Sequence, residues 1–131
     1  MKTALPTWVA IQQLVAQLES TTDMKLVDEM SRRVFEWIYA RSNESDDPIY
    51  VQTVVMESSV ASPATIHKSL AVLERAGFLS IEVDPADARR RIVTPTERAH
   101  KLVKELSKAV SQWVAQSTSL AKSASRERSP R

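Results

Sequence analysis

Three consecutive arginines, Arg89, Arg90 and Arg91, are the residues best suited to chemistry in this chain of 131 amino acids. They follow Asp87, and neighbouring guanidinium groups repel one another unless an anion lies close by. A guanidinium offers planar donors that fit the oxygens of a carboxylate or a phosphate. The run therefore favours an anion-binding surface, and the alternative is a solvated basic edge strand that resists aggregation.

The composition excludes several kinds of enzyme site. One glycine cannot build a glycine-rich phosphate loop, and a chain without cysteine has no thiol nucleophile, disulfide or cysteine zinc site. The two histidines, His67 and His100, are 33 positions apart and form no metal-binding signature. The adjacent acids Asp46 and Asp47 have no partner histidine. We therefore predict that the chain is not an enzyme and holds no metal or cofactor.

The net charge of +2 is distributed unevenly along the chain. Residues 1–59 carry 5 basic and 9 acidic groups, whereas residues 60–131 carry 13 basic and 7 acidic groups. A basic second half is compatible with a nucleic-acid partner. The length favours a single domain. No apolar run approaches the ~18 residues that cross a bilayer, so we predict a cytoplasmic protein without a membrane partner.

The elements that must position the arginines begin with predicted helices over residues 7–20 and 23–40, where apolar residues recur at helical spacing. Residues 49–56 are predicted to form a brief strand or extended turn that leads into a third helix. The alternative is a strand over residues 51–55, because β-branched residues dominate them.

The fourth helix has the clearest start. Ser62 supplies a capping hydroxyl, and Pro63 fits the first helical position. The single glycine, Gly77, follows the helix where a left-handed residue is commonly needed. Residues 78–83 and 89–94 then form a predicted hairpin that carries the arginine run.

A long last helix is predicted over residues 95–121, opened by a capping box from Thr94 to Glu97. Residues 122–131 are basic and lack large apolar side chains, so we predict a disordered tail that adds non-specific DNA affinity. A dispensable solubilising tail is the alternative.

The order of helices, hairpin and long helix predicts a mainly α fold with a small β-hairpin, a winged helix-turn-helix, in residues 1–121. The DNA-binding unit would span residues 49–94. The first and last helices are not needed to build that unit, so their apolar stripes favour a homodimer. The predicted dimerisation residues are Trp8, Ile11, Val15, Leu18, Val103, Leu106, Val110, Trp113 and Leu120.

Residues 62–99 also resemble the MarR family of bacterial transcription regulators. The segment Ser62-Pro63-Ala64-Thr65-Ile66, with Leu73-Glu74 and Gly77 after it, is similar to that family's recognition helix. Asp84, Asp87, Arg89 and Val93 are similar to its wing, and Thr96-Glu97 to the start of its next helix. The resemblance implies that Arg89 enters the minor groove and that Asp87 helps to orient it. It also implies that a small-molecule effector could bind, but no polar cluster identifies one.

We therefore expect a homodimeric, sequence-specific regulator of transcription that binds duplex DNA. The recognition helix would enter the major groove and the arginine wing the minor groove. A protein-binding winged-helix module is one alternative, and a plasmid or phage replication or partition factor is another. The expected DNA-binding residues are Ser62, Ala64, Thr65, His67, Lys68, Asp87, Arg89, Arg90 and Arg91.

Overall fold

The computed structural model describes residues 5–127, with side chains through residue 117. It contains five α-helices, one short 3-10 helix and three strands within those residues. The α-helices are α1 (Thr7–Thr21), α2 (Glu29–Glu44), α3 (Val51–Glu57), α4 (Pro63–Arg75) and α5 (Glu97–Glu127), and the strands are β1 (Ile49–Tyr50), β2 (Leu79–Asp84) and β3 (Asp87–Pro95). The predicted fold class, mainly α with a small β-hairpin, is confirmed.

Helix α1 has almost the predicted bounds, but the second predicted helix is interrupted. Residues Asp23–Leu26 form the 3-10 helix, and α2 starts after Asp28. The Asp28 carboxylate accepts hydrogen bonds from the backbone N–H of Ser31 at 3.3 Å and from its hydroxyl at 2.6 Å. These bonds satisfy a free donor of the first turn and lower the pKa of Asp28. The cap explains why the helix begins there, six residues later than predicted.

The buried core lies mainly between α2, α3, α4 and the sheet. Only the first turns of α5 contribute to this core. The predicted stripe of α4 is buried as expected, whereas α1 has no buried residue. The core side chains with the lowest exposure are Val34, Ile38, Val54, Ile66, Leu73, Phe78 and Ala99. Helix α4 is therefore held against the body by a continuous apolar face.

A third strand completes the sheet, which has the order β1-β3-β2 with antiparallel pairing. Ile49 pairs with Val93, and Tyr50 pairs with Ile92. The predicted brief strand that leads into a third helix is confirmed, since α3 follows β1 directly. The alternative strand over residues 51–55 is wrong, because these residues lie in α3. The pairing places the start of α3 beside the arginine-bearing strand β3.

The joint between α4 and β2 rests on the single glycine. Gly77 has φ of +86°, in the left-handed region where glycine is favoured. Its N–H donates to the Glu74 carbonyl at 3.0 Å, and the N–H of Phe78 donates to the Leu73 carbonyl at 3.0 Å. Together these bonds form a Schellman motif that closes the helix. The predicted role of Gly77 as the left-handed residue after the helix is confirmed.

Thr96 connects the turn between α4 and β2 to the last helix, α5. Its hydroxyl donates to the Gly77 carbonyl at 2.6 Å and accepts from the N–H of Ala99 at 3.2 Å. Thr96 is thus the cap of α5, and the predicted capping box starting at Thr94 is wrong. Thr94 and Pro95 are instead held in β3 by pairing with Ser80 and Leu79.

Helix α5 therefore begins at Glu97 and continues to Glu127, past the predicted end at residue 121. Residues 122–127, assigned above to the disordered tail, are helical. The alanine, lysine, arginine and glutamate among them favour a helix. Residues 128–131 lie outside the described residues.

Gly77→Ala should destabilise the fold by about 1 kcal/mol, because the left-handed conformation disfavours a side chain. A Cβ at this position would also lie 3.1 Å from the Arg98 guanidinium. Urea unfolding followed by circular dichroism measures the change in free energy. Gly77→Asn is the comparison, since asparagine tolerates this conformation better and should lose less stability. Equal stability of wild type and Gly77→Ala would contradict the account.

Candidate nucleic-acid interface

The start of α4 is fixed by its serine cap. The Ser62 hydroxyl accepts a hydrogen bond from the N–H of Thr65 at 3.4 Å and donates to the Thr65 hydroxyl at 3.0 Å. Ser62 is exposed, and Thr65 is half-buried. Pro63 has no N–H, and the N–H of Ile66 donates to the Ser62 carbonyl at 2.9 Å. The N–H of Ala64 is therefore the donor that remains at the positive end of the helix dipole, where an anion is favoured.

The outer face of α4 is free of core contacts. Ala64, His67 and Lys68 are exposed, whereas Ile66 and Leu70, on the other side of the helix, are buried. The helix therefore presents its N-terminal half to solvent with one small apolar group, one imidazole and one ammonium group. This is the surface for which the sequence predicts contacts with DNA bases.

The arginine run lies where the hairpin loses its regular register. Val83 pairs with Arg91, but Asp84 then pairs with Asp87, so residues 88–90 have no partner in β2. Side chains alternate between two faces only along a regular ladder, so strand pairing does not place Arg89 and Arg91 on one face.

Asp87 organises this irregular segment. Its carboxylate accepts hydrogen bonds from the backbone N–H of Arg89 at 3.0 Å and from Arg89 Nε at 3.2 Å. It also lies 3.4 Å from Arg90 Nε. The backbone N–H of Arg89, then its side chain, and more weakly the charge of Arg90 lower the pKa of Asp87. One carboxylate thus orients two arginines, while the Arg89 side chain remains 91% exposed.

Arg90 is held on a second side by an aromatic ring. Its guanidinium lies 5.0 Å from the centre of the Tyr50 ring, within the range of a cation–π contact. Tyr50 joins β1 to α3, so this contact links the arginine segment to the body of the fold. The sequence does not indicate Tyr50 as a site residue, because only the pairing of β1 with β3 brings Tyr50 and Arg90 together.

A cleft of about 160 Å³ separates α4 from the wing, the hairpin formed by β2 and β3. The side chains that line it come from three parts of the chain: the start of α3, the outer face of α4 and the arginine run. They are Tyr50, Val51, Gln52, His67, Arg89, Arg90 and Arg91. The structure therefore brings His67 and the three arginines, which are more than 20 residues apart in sequence, to one site.

The predicted dimerisation residues lie on a second surface. Trp8 is 74% exposed and Val15 is 39% exposed, although both are large apolar side chains. Val15 and Leu18 of α1 line a cleft with Leu106 and Val110 of α5, so the two helices contribute to one apolar surface. Ile11, Val103 and Trp113 are half-buried, and Leu120 lies beyond the described side chains.

In the described part of the chain, no group of three or more histidine, aspartate or glutamate side chains could hold a metal ion. His100 instead forms a 2.8 Å hydrogen bond with the Tyr39 hydroxyl. No helix among the described residues is long and apolar enough to cross a membrane.

In the folded protein, the pKa of Asp87 should lie below the ordinary aspartate range. The ionised carboxylate therefore stabilises the fold at a pH above the ordinary aspartate pKa, and this contribution is lost as the pH falls through the lowered pKa. Titration of the carboxyl carbon by NMR measures the value. Arg89→Gln removes the guanidinium but keeps the backbone donor, so the pKa should rise only part of the way. An ordinary pKa in the wild type would contradict the assigned hydrogen bonds.

Comparison with known proteins gives matches of two kinds. No family model matches the chain. Over 59 residues it is 37% identical to the transcriptional regulator HosA of Escherichia coli O111:H-. That match covers 45% of this chain and 44% of the relative, so it spans less than half of either protein.

The structural matches extend over most of the chain. The MepR–DNA complex of Staphylococcus aureus has a TM-score of 0.63 at 20% identity, and covers 91% of this chain and 93% of that one. The transcriptional regulator Tm0710 of Thermotoga maritima has a TM-score of 0.62 at 16% identity over 84% of this chain and 73% of that one. Reduced AbfR bound to DNA has a TM-score of 0.55 at 19% identity over 81% of this chain and 71% of that one.

HosA and Tm0710 are transcriptional regulators, and MepR is a transcription regulator of a multidrug efflux pump. The likeness in structure covers the flanking helices as well as the hairpin. The likeness shows the fold, and the chain has the winged helix-turn-helix architecture that the sequence predicted.

Proposed function

We propose that the protein is a regulator of transcription that binds duplex DNA as a homodimer. The observation that carries the proposal is the cleft at which the exposed face of α4 meets the arginine run. A helix and a basic hairpin at one surface can contact adjacent grooves of one duplex. Two structures of the same fold, MepR and AbfR, are complexes with DNA, which supports this assignment.

Helix α4 is the element proposed for the major groove, which is about 12 Å wide. Ala64 and the Thr65 methyl group supply apolar contacts that suit a thymine methyl. Lys68 donates to guanine acceptors or to a phosphate. Ser62, at the positive end of the helix, contacts a backbone phosphate that fixes the helix in register.

Arg89 is the residue proposed for the minor groove. Its side chain is 91% exposed, and its backbone and guanidinium are both oriented by Asp87. Less side-chain entropy is lost on binding when an arginine is already held in place. A narrow A·T-rich minor groove attracts such a guanidinium by its negative potential.

The homodimer is proposed from the apolar surface of α1 and α5. Helix α1 has no buried residue, and Trp8 alone leaves 74% of its area exposed. Burial of this surface against a second copy gives two α4 helices related by a two-fold axis. Such a dimer recognises half-sites about 10 base pairs apart, or a multiple of that spacing.

Arg89→Ala should weaken binding to a selected duplex by roughly 5- to 150-fold, corresponding to about 1–3 kcal/mol. The loss should be largest for A·T-rich flanking sequence. Fluorescence anisotropy at several salt concentrations measures the affinity of the full chain. Arg33→Ala is the matched control, since Arg33 is exposed on α2 and pairs with Glu29. Wild-type protein without salt-dependent DNA affinity would refute the proposed function and favour a protein-binding module.

Trp8→Asp should dissociate the dimer, because a charge at an exposed apolar contact is costly to bury. Analytical ultracentrifugation should give twice the chain mass of 14.7 kDa for the wild type and one chain mass for the variant. Met56→Asp is the control, because Met56 is 70% exposed on α3, outside the proposed contact surface. Loss of the dimer in both variants, or in neither, would argue against this interface.

A further inference from the structure

The geometry points to a built site for one backbone phosphate of duplex DNA in the cleft between α4 and the wing. This inference rests on the proposed function and deepens it, since it assigns the phosphate that lies between the two groove contacts. It also gives separate roles to three neighbouring arginines. Arg91 and His67 bind the phosphate, whereas Arg90 is a positioning residue that fixes one wall of the cleft.

The charge in the cleft favours an anion. Three guanidinium groups line it, and Asp87 is the carboxylate bound to two of them. Within the described residues, Arg91 makes no ion pair with an acidic side chain. Its planar donors therefore remain for the oxygens of a phosphate. His67 and Gln52 line the same space and bring further N–H donors.

Arg90 is already fixed before any ligand arrives. It lies 5.0 Å from the Tyr50 ring centre and 3.4 Å from the Asp87 carboxylate. These contacts hold the backbone around Arg90 close to the end of β1, which pairs with β3. The position of Arg91, the next residue, is therefore set by the protein, which lowers the entropy cost of binding a phosphate.

The path of DNA brings a phosphate to this place. One sugar–phosphate backbone separates a major groove from the adjacent minor groove. If α4 occupies the first groove and Arg89 the second, that backbone must cross the space between α4 and the wing. The cleft volume of about 160 Å³ leaves room for a phosphate group but not for a base pair. A phosphodiester of the backbone is thus the ligand class.

Ethylation interference on the whole 131-residue chain tests the site, with a duplex recovered by binding selection. In the wild type, ethylation of one phosphate per half-site, between the two groove contacts, should block binding. Arg91→Gln should lose this interference and lower the slope of log K against log salt by about 0.9 per protomer. His67→Ala should lose the same interference. Lys108→Gln, the same charge change on the exposed side of α5, should keep both.

Each outcome separates the inference from the proposed function. Wild-type protein without DNA affinity refutes the proposed function and the phosphate site together. DNA affinity with the full slope and the same interference in Arg91→Gln and His67→Ala overturns the phosphate site alone. Because both side chains are exposed, circular dichroism should show folded variants. Inorganic phosphate added at constant ionic strength should not displace the duplex, and displacement at millimolar phosphate would assign the cleft to a free anion instead.

Discussion

The hydrogen bond from the Thr96 hydroxyl to the Gly77 carbonyl joins the three elements on which the rest of the structure depends. Gly77 ends α4 in a left-handed conformation, β2 starts two residues later, and Thr96 caps α5. Arg98 adds a second tie, since it donates to the Ala76 carbonyl at 2.8 Å and lies over the Phe78 ring. The angle of the wing relative to α4 is therefore set by a few short-range contacts around one glycine.

The far end of the wing is fixed by charge rather than by packing. Asp87 accepts from the backbone and side chain of Arg89 and pairs with Arg90, while Arg90 lies over Tyr50. This arrangement offsets the repulsion within the arginine run and leaves the side chain of Arg89 directed to solvent. Local hydrogen bonds of aspartate compete with strand pairing, which accounts for the three residues that leave the regular ladder.

The parts of the fold that sequence could predict are those set by local chemistry. Ser62 before Pro63 marks the start of α4, and Gly77 marks its end, because a cap and a left-handed residue depend on adjacent positions. The parts it missed depend on contacts between distant residues. Thr96 replaces Thr94 as the cap because β3 pairs with β2 through Pro95. Tyr50 joined the candidate site only through the pairing of β1 with β3.

The central claim is that α4 and the wing contact adjacent grooves of one duplex. Hydroxyl-radical footprinting of the full chain on a selected duplex tests it most directly, combined with methylation interference at guanine N7. We predict short minor-groove protections on both strands, each next to guanines whose methylation blocks binding in the major groove. Protection confined to the major-groove sites, with the adjacent minor groove fully accessible to the radical, would contradict it.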